Sequence, residues 1–531
     1  TGDFEPARQH LDAARPRTRP GAWWRAEAAL RRRAGDLAGA LAAWREVLAR
    51  EPLALDAHRG VAWLLAALER PAAAVAHLEE AVKRFPHHVG LAGTLLPWVE
   101  EGDPARAEAL IRRVVELEPS DAWWRRELAV LLHRTGRTEE AVAAAVAARE
   151  IAPQSPASHG ILANLQAAGG RLELAREGLR EALRLDVDYA WAIDRLVDLA
   201  PGDARKREEL GFAHAELLRQ TTDGRGLSRY ASAARIILPA PELRRQLVAF
   251  LDARPDLFEA WSALVRLSSD EGELDDARRR AEQALERFPM HAEAWQVLAH
   301  VRRRQGDVAG AAEAARRAVR LSPSLTSAWL DLARHVHDGG DLPEATAVLR
   351  EAVRHDPLES RFATELAHRL ELAGDAEGAW ALCAQAVLYE PGCSDAWGRL
   401  EGLAVRHGRR DDLVALGRRV TQERPGDPDA WMALAGVLPS SATEERLASY
   451  ARASSLAPRR TDAYDQRAVL LAGQGRFDEA RAVLSSGPWP EGARPEYIQG
   501  RDAWLLAEEG HVREAIARML PVVERAGDYD W

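Results

Sequence analysis

The chain has 531 residues, 47% of them hydrophobic and 29% charged, with a formal net charge of −10. That balance excludes a disordered chain. No apolar run approaches the ~20 residues of a bilayer-spanning helix, and the acidic balance gives no sign of the concentrated basic surface that nucleic-acid binding requires. Two cysteines, Cys383 and Cys393, are too few for a disulfide framework or a cysteine metal site and point to a reducing, cytoplasmic setting. Lys83 and Lys206 are the only lysines among 72 basic residues, a bias that, with the abundant alanine, reads as a GC-rich, bacterial coding background.

In chain order, the first predicted element is a helix from Phe4 to Ala14. Its Gly2-Asp3 start matches the middle of a repeating unit whose period becomes plain further on. Prolines that close Arg/Leu-rich helices fall at Pro52, Pro86, Pro119 and Pro153, then at Pro255, Pro289, Pro323, Pro357, Pro391, Pro425 and Pro458. Their spacing is 33 or 34 residues, and the gap from Pro153 to Pro255 is three such steps. Trp261, Trp295, Trp329, Trp397 and Trp431, each preceded by alanine, keep the same phase, with Phe362 one residue short of its slot. A glycine follows seventeen residues after many of the prolines, from Gly136 and Gly170 through Gly272, Gly306, Gly340, Gly374 and Gly408. Internal periods of this length signal stacked supersecondary units.

Each unit reads as two helices. Around Trp295 the pattern predicts one helix from Ala292 to Gln305 and a second from Val308 to Leu321, separated by Gly306-Asp307 and closed by Pro323. One such pair cannot bury its apolar face, so neighbours must stack into a solenoid. The stretch "AWQVLAHVRRRQGDVAGAAEAARRAVRLSP" (Ala294 to Pro323) resembles the tetratricopeptide repeat family. The resemblance covers nearly the whole chain. It implies an all-α, right-handed superhelical solenoid of about fifteen antiparallel helix pairs.

The organisation divides into a first array over residues 1–188, a degenerate stretch over 189–256 and a regular array over 257–531. In the middle stretch the consensus fades, with helices expected over Ala204–Arg219 and Leu227–Leu238 around a flexible loop at Thr221–Gly226. It reads as degenerate repeats, or as a hinge or docking loop; the first is favoured because solenoid loops drift readily. Ser485–Arg494 lengthens another connection through Pro488 and Pro490. The Val512–Arg525 helix is expected to carry an uncovered apolar face, and Trp531 falls where a further unit would start. These features suggest a segment of a longer polypeptide.

Chemistry-bearing motifs are not found. The sequence holds no phosphate-cradling glycine loop with its lysine, G-x-S-x-G elbow, H-E-x-x-H helix or EF-hand loop. His335, His337 and Asp338 fit a solvated helix end better than a metal site, because adjacent-but-one helical positions diverge. Glu365 and His368 read as a surface pair, His87-His88 as a loop, and Cys383 as a buried thiol. No catalytic residue, cofactor or metal site is expected. The phase-locked tryptophans fit packing rather than base stacking. In Trp23-Trp24 and Trp123-Trp124 one ring can fill the packing slot while its neighbour points elsewhere.

Function must then come from the surface. The first helices of such units line a groove, and residues one and five places beyond the tryptophans are polar or basic: Ser262 and Arg266, Gln296 and His300, and Arg334. Arg303 and His337 extend a basic stripe across three units. Arginine forks bind carboxylates, so the expected partner is a protein or peptide, plausibly acidic. The resemblance implies a groove that clasps peptides or partner helices, whereas the family's asparagine–lysine clamp has no lysines here to form it. The primary reading is a protein-interaction scaffold. The alternative is a substrate-recruiting or regulatory region of a larger enzyme, such as a peptidase or glycosyltransferase. Partner identity and oligomeric state are not encoded in these patterns.

Overall fold

The computed structural model describes residues 4–68, 71–100, 103–489 and 494–526; Gly2-Asp3, the 490–493 part of the lengthened connection and Trp531 lie outside them. Among the described residues there are 31 α-helices and no β-strand. They fall into two compact units, one drawn from Thr1–Leu110 and Pro357–Trp531, the other from Ile111–Asp356. Within each unit a helix packs chiefly on its neighbours along the chain, which makes the fold a helical solenoid held by nearest-neighbour interfaces.

Local sequence sets each pair. The helices Ala292–Arg304 and Val308–Leu321 end where the pattern places them, to within a residue. Between them Gly306 takes φ +83°, open to glycine at no steric cost. Asp307 then caps the second helix, its carboxylate accepting the Gly310 N–H at 2.9 Å. Asp36, Asp341 and Asp375 cap their helices in the same way. Ala299, Ala311, Ala315 and Ala318 are fully or almost fully buried at the crossing, where a larger side chain would push the two backbones apart.

Adjacent pairs are joined by a side-chain clasp that the markers foreshadow without revealing. Six residues after a closing proline, a side chain reaches back and donates to that proline's carbonyl. The indole N–H groups of Trp261, Trp295, Trp329, Trp397 and Trp431 do so at 2.8–3.1 Å to Pro255, Pro289, Pro323, Pro391 and Pro425. Tyr464 reaches Pro458 at 2.9 Å, His58 reaches Pro52 at 2.9 Å and His159 reaches Pro153 at 2.8 Å. The proline terminates one helix, and the clasp fixes the entry of the next. Packing of the rings is graded: Trp329 is 4% exposed, whereas Trp295 is half-buried. The doublets divide as their sequence suggests, with Trp124 buried and Trp123 39% exposed in edge-on contact.

The middle stretch is tightly built. Its helices are Trp191–Asp198, Gly202–Gln220, Arg225–Ile237 and Ala240–Ala253, and a single apolar core runs through them from Ala163 to Leu267. The loop at Thr221–Gly226, read from sequence as flexible, is instead fastened to buried Asp188. That carboxylate accepts the backbone N–H groups of Thr222 at 2.7 Å and of Asp223 and Gly226 at 3.1 Å, and the Thr221 hydroxyl at 2.9 Å. A Cβ on Gly226 would lie 2.3 Å from the Val187 carbonyl oxygen, so only glycine permits this approach. Burial alone would raise the Asp188 pKa, but the converging N–H groups outweigh it and hold it below the ordinary carboxylate value. In the final helix, Val512–Ala526, Val512, Ile516, Leu520 and Val523 are 48–55% exposed, the uncovered face that its pattern implies.

Two outcomes follow for stability. Trp329→Ala should lower unfolding free energy by roughly 3–5 kcal/mol, and Trp329→Phe, which keeps most of the packing and removes the clasp, by about 1 kcal/mol; urea denaturation of the two variants separates the contributions. Asp188→Ala should expose Thr221–Gly226 to limited proteolysis and cost roughly 2–4 kcal/mol, because the buried Gly226 N–H, the part-buried Thr222 and Asp223 N–H groups and the Thr221 hydroxyl lose their acceptor. Since the folded pKa of Asp188 lies below the unfolded value near ~3.9, its stabilisation is complete above that pH and fades as pH falls through the folded pKa.

Candidate protein-binding groove

The groove lies in the Ile111–Asp356 unit, across the helices Arg225–Ile237, Phe258–Asp270, Ala292–Arg304 and Thr326–Asp338. In each of the last three, the residues seven and eleven places beyond the closing proline are four apart and share one face. The clasp fixes that face, because its donor sits immediately before the first of these positions. A cavity of about 460 Å³ opens there, within the range of small-ligand and side-chain sites. Phe258, Val265, Val297, Val301 and Leu325 supply its apolar surface, and Arg266, Glu293, Gln296, His300, Ser327 and Asp331 its polar one. A smaller cavity of about 120 Å³ adjoins it, sharing Arg235, Arg266 and Asp270 and lined also by Ser262, Leu243 and Leu247.

Of the residues expected from sequence, Arg266, Gln296 and His300 line the larger cavity and Ser262 the smaller. Arg303, Arg334 and His337 line neither. The stripe they form with Arg266 is not a free positive surface. Arg303 pairs with Asp338 at 2.8 Å and Arg334 with Asp331 at 3.3 Å. Arg235 pairs with Asp270 at 2.6 Å. Gln296 donates to Asp331 at 3.1 Å and to Ser327 at 3.0 Å. The carboxylates sit at helix positions that no 34-residue marker flags, which is why the stripe looks basic in sequence. Arg235 and Phe258 also escape sequence reasoning, Arg235 because its helix belongs to the stretch without a tryptophan marker. Among the described residues, Arg266 and Glu293 have no ion-pair partner.

The titratable groups near the groove are quiet ones. Desolvation, with the Arg304 guanidinium nearby, lowers the His300 pKa. His335, expected at a solvated helix end, is instead 3% exposed with Nδ1 unpartnered; burial lowers its pKa as well. Elsewhere, fully buried Cys383 is pushed up to about 12 by desolvation, which leaves a thiol rather than a nucleophilic thiolate. Among the described residues, no group of three or more His, Cys, Asp or Glu side chains is placed to hold a metal ion, and no helix is long and apolar enough to cross a membrane.

At one clasp the donor is itself held by a second histidine. His58 Nε2 faces the Pro52 carbonyl, which can only accept, so that nitrogen carries the proton. His58 Nδ1 is therefore an acceptor, and His77 Nε2 donates to it at 3.1 Å. Burial, with His58 and Arg45 adding, lowers the His77 pKa to about 4.

Comparison with known proteins places these repeats in context. One profile described as tetratricopeptide repeat matches residues 25–89 and 262–326, and a second with the same description matches 99–165 and 302–368. No curated protein matches the chain. Among solved structures, one titled "Structure of Naa15/Naa10 bound to HypK-THB" is 17% identical, with a TM-score of 0.36, over 86% of this chain and 69% of that one.

The histidine clasp has a pH signature. A folded pKa near 4 at His77, below the unfolded ~6.5, means that its stabilisation is present above pH ~6.5 and is lost as pH falls toward 4. His77→Gln keeps a donor for His58 and does not titrate. Its melting temperature should therefore fall a few degrees less than the parent's between pH 6.5 and 4, as read by circular dichroism.

Proposed function

The chain belongs to the tetratricopeptide-repeat superfamily, and on that premise we propose that it is a protein-interaction scaffold whose groove in the Ile111–Asp356 unit holds an extended segment of a partner protein. The observation that carries this is the cavity built by three successive first helices, with apolar Val265, Val297 and Val301 beneath a polar rim. That composition, an apolar centre with few convergent polar groups, is how proteins take up side chains of a partner. The expectation of an acidic ligand rests on Arg266, since Arg303 and Arg334 are already matched within the fold. The reading assigns binding, not bond-making, to these residues.

A photo-crosslinking residue placed at His300 should capture a partner that the same residue at Glu313, exposed on a second helix, does not. Val297→Asp should abolish that capture without changing the helical circular dichroism signal. Equal capture at the two positions, or capture that survives Val297→Asp, removes the groove from the reading.

A further inference from the structure

We propose that the groove selects a peptide segment in which a branched or aromatic side chain is flanked on one side by a carboxylate and on the other by a cationic group. The proposal rests on the groove reading above and adds the chemistry of the occupant. Its basis is the uneven charge bookkeeping of the rim. Asp270 is matched by Arg235, and Asp331 is met by Gln296 and Arg334. Arg266 and Glu293 also line the cavity, and among the described residues neither forms an ion pair. A ligand that meets both would leave no charge at the rim unmatched. One that meets only Arg266 would leave its own carboxylate competing with Glu293.

The helices also set a spacing. Arg266 is the ninth residue of Phe258–Asp270, and Glu293 the second of Ala292–Arg304. The two positions are offset by seven along neighbouring first helices, about 10 Å of axial rise at ~1.5 Å per residue, and the ~9 Å between packed helix axes brings their separation to about 14 Å. An extended peptide covers that distance in about four residues at ~3.3 Å each. The same cavity is lined by partly exposed Val297, backed by buried Val265 and Val301, and there the apolar side chain would be seated. The ligand is therefore a short acid–apolar–base sequence, with the acid over Arg266.

The test uses the full-length chain and a random dodecapeptide library displayed on phage. Panning on the parent should enrich peptides with an acidic and a basic residue three to five positions apart around an apolar one. Arg266→Glu should weaken a selected synthetic peptide by about tenfold, the scale of one well-placed charge contact, and so should Glu293→Arg. The double reversal should bind peptides of the opposite charge order. Both side chains are exposed, so folding should survive the changes, and circular dichroism checks it. Peptides that need Val297 yet ignore both charge reversals would overturn this proposal while keeping the groove. A library yielding only peptides indifferent to Val297→Asp as well would overturn both.

Discussion

The structure depends on a hydrogen bond that recurs at most of the joints between units, though not at Pro86 or Pro357, where the sixth residue on is Ala92 or Ala363. A proline at the end of a second helix stops the helix, because it offers no N–H and clashes with continuation. Its carbonyl is left among the unsatisfied acceptors of a helix end. The side chain six residues on turns back over the connection and donates to that carbonyl, as Trp329 does to Pro323. Chemistry varies while geometry persists: tryptophan in five joints, tyrosine at 464 and histidine at 58 and 159. At these eight joints the donor is a flat ring with an N–H or O–H at its edge, able to cover apolar surface and still satisfy its polar atom, and Arg125 donates to the Pro119 carbonyl in the same way.

That constraint explains how the groove is aimed. Once the donor is fixed, the next residue and the one four further along must face the same side of the helix. Ser262 with Arg266 and Gln296 with His300 occupy those positions behind Trp261 and Trp295. The clasp thus converts a packing rule into a register for surface residues. Substitutions at the register positions change the chemistry of the groove surface, whereas substitutions at the clasp change the frame on which every such position is mounted.

Much of the fold was legible because periodic packing repeats the same small demands. The helices around Trp295, the turn glycines and the uncovered face of the last helix all follow from apolar spacing and from residues with special backbone chemistry. The groove was legible only in part. Its register could be read, but its charge could not, because Asp331 and Asp338 neutralise arginines from positions that carry no marker. His335 shows the same limit: helical spacing places it near the end of its helix, and only the packing of neighbouring helices decides that it is buried. The Thr221–Gly226 loop misleads for a related reason. Its composition is that of a mobile loop, and the carboxylate that fastens it lies 33 residues or more away in the chain.

The irregular stretch and the groove then belong to one argument. Asp188 ties the loop, Arg254 donates to the Thr221 carbonyl at 2.6 Å, and the apolar core runs unbroken into Leu264 and Leu267. The helix Arg225–Ile237 is therefore held firmly beside Phe258–Asp270, where Arg235 reaches Asp270. These contacts favour a fixed wall over a hinge. On the proposed reading, a wall already in place would spare a ligand the ordering cost of assembling the site. The stretch at 189–256 contributes Arg235 to the larger cavity and Arg235, Leu243 and Leu247 to the smaller one, so it forms one wall of a groove otherwise built from regular repeats.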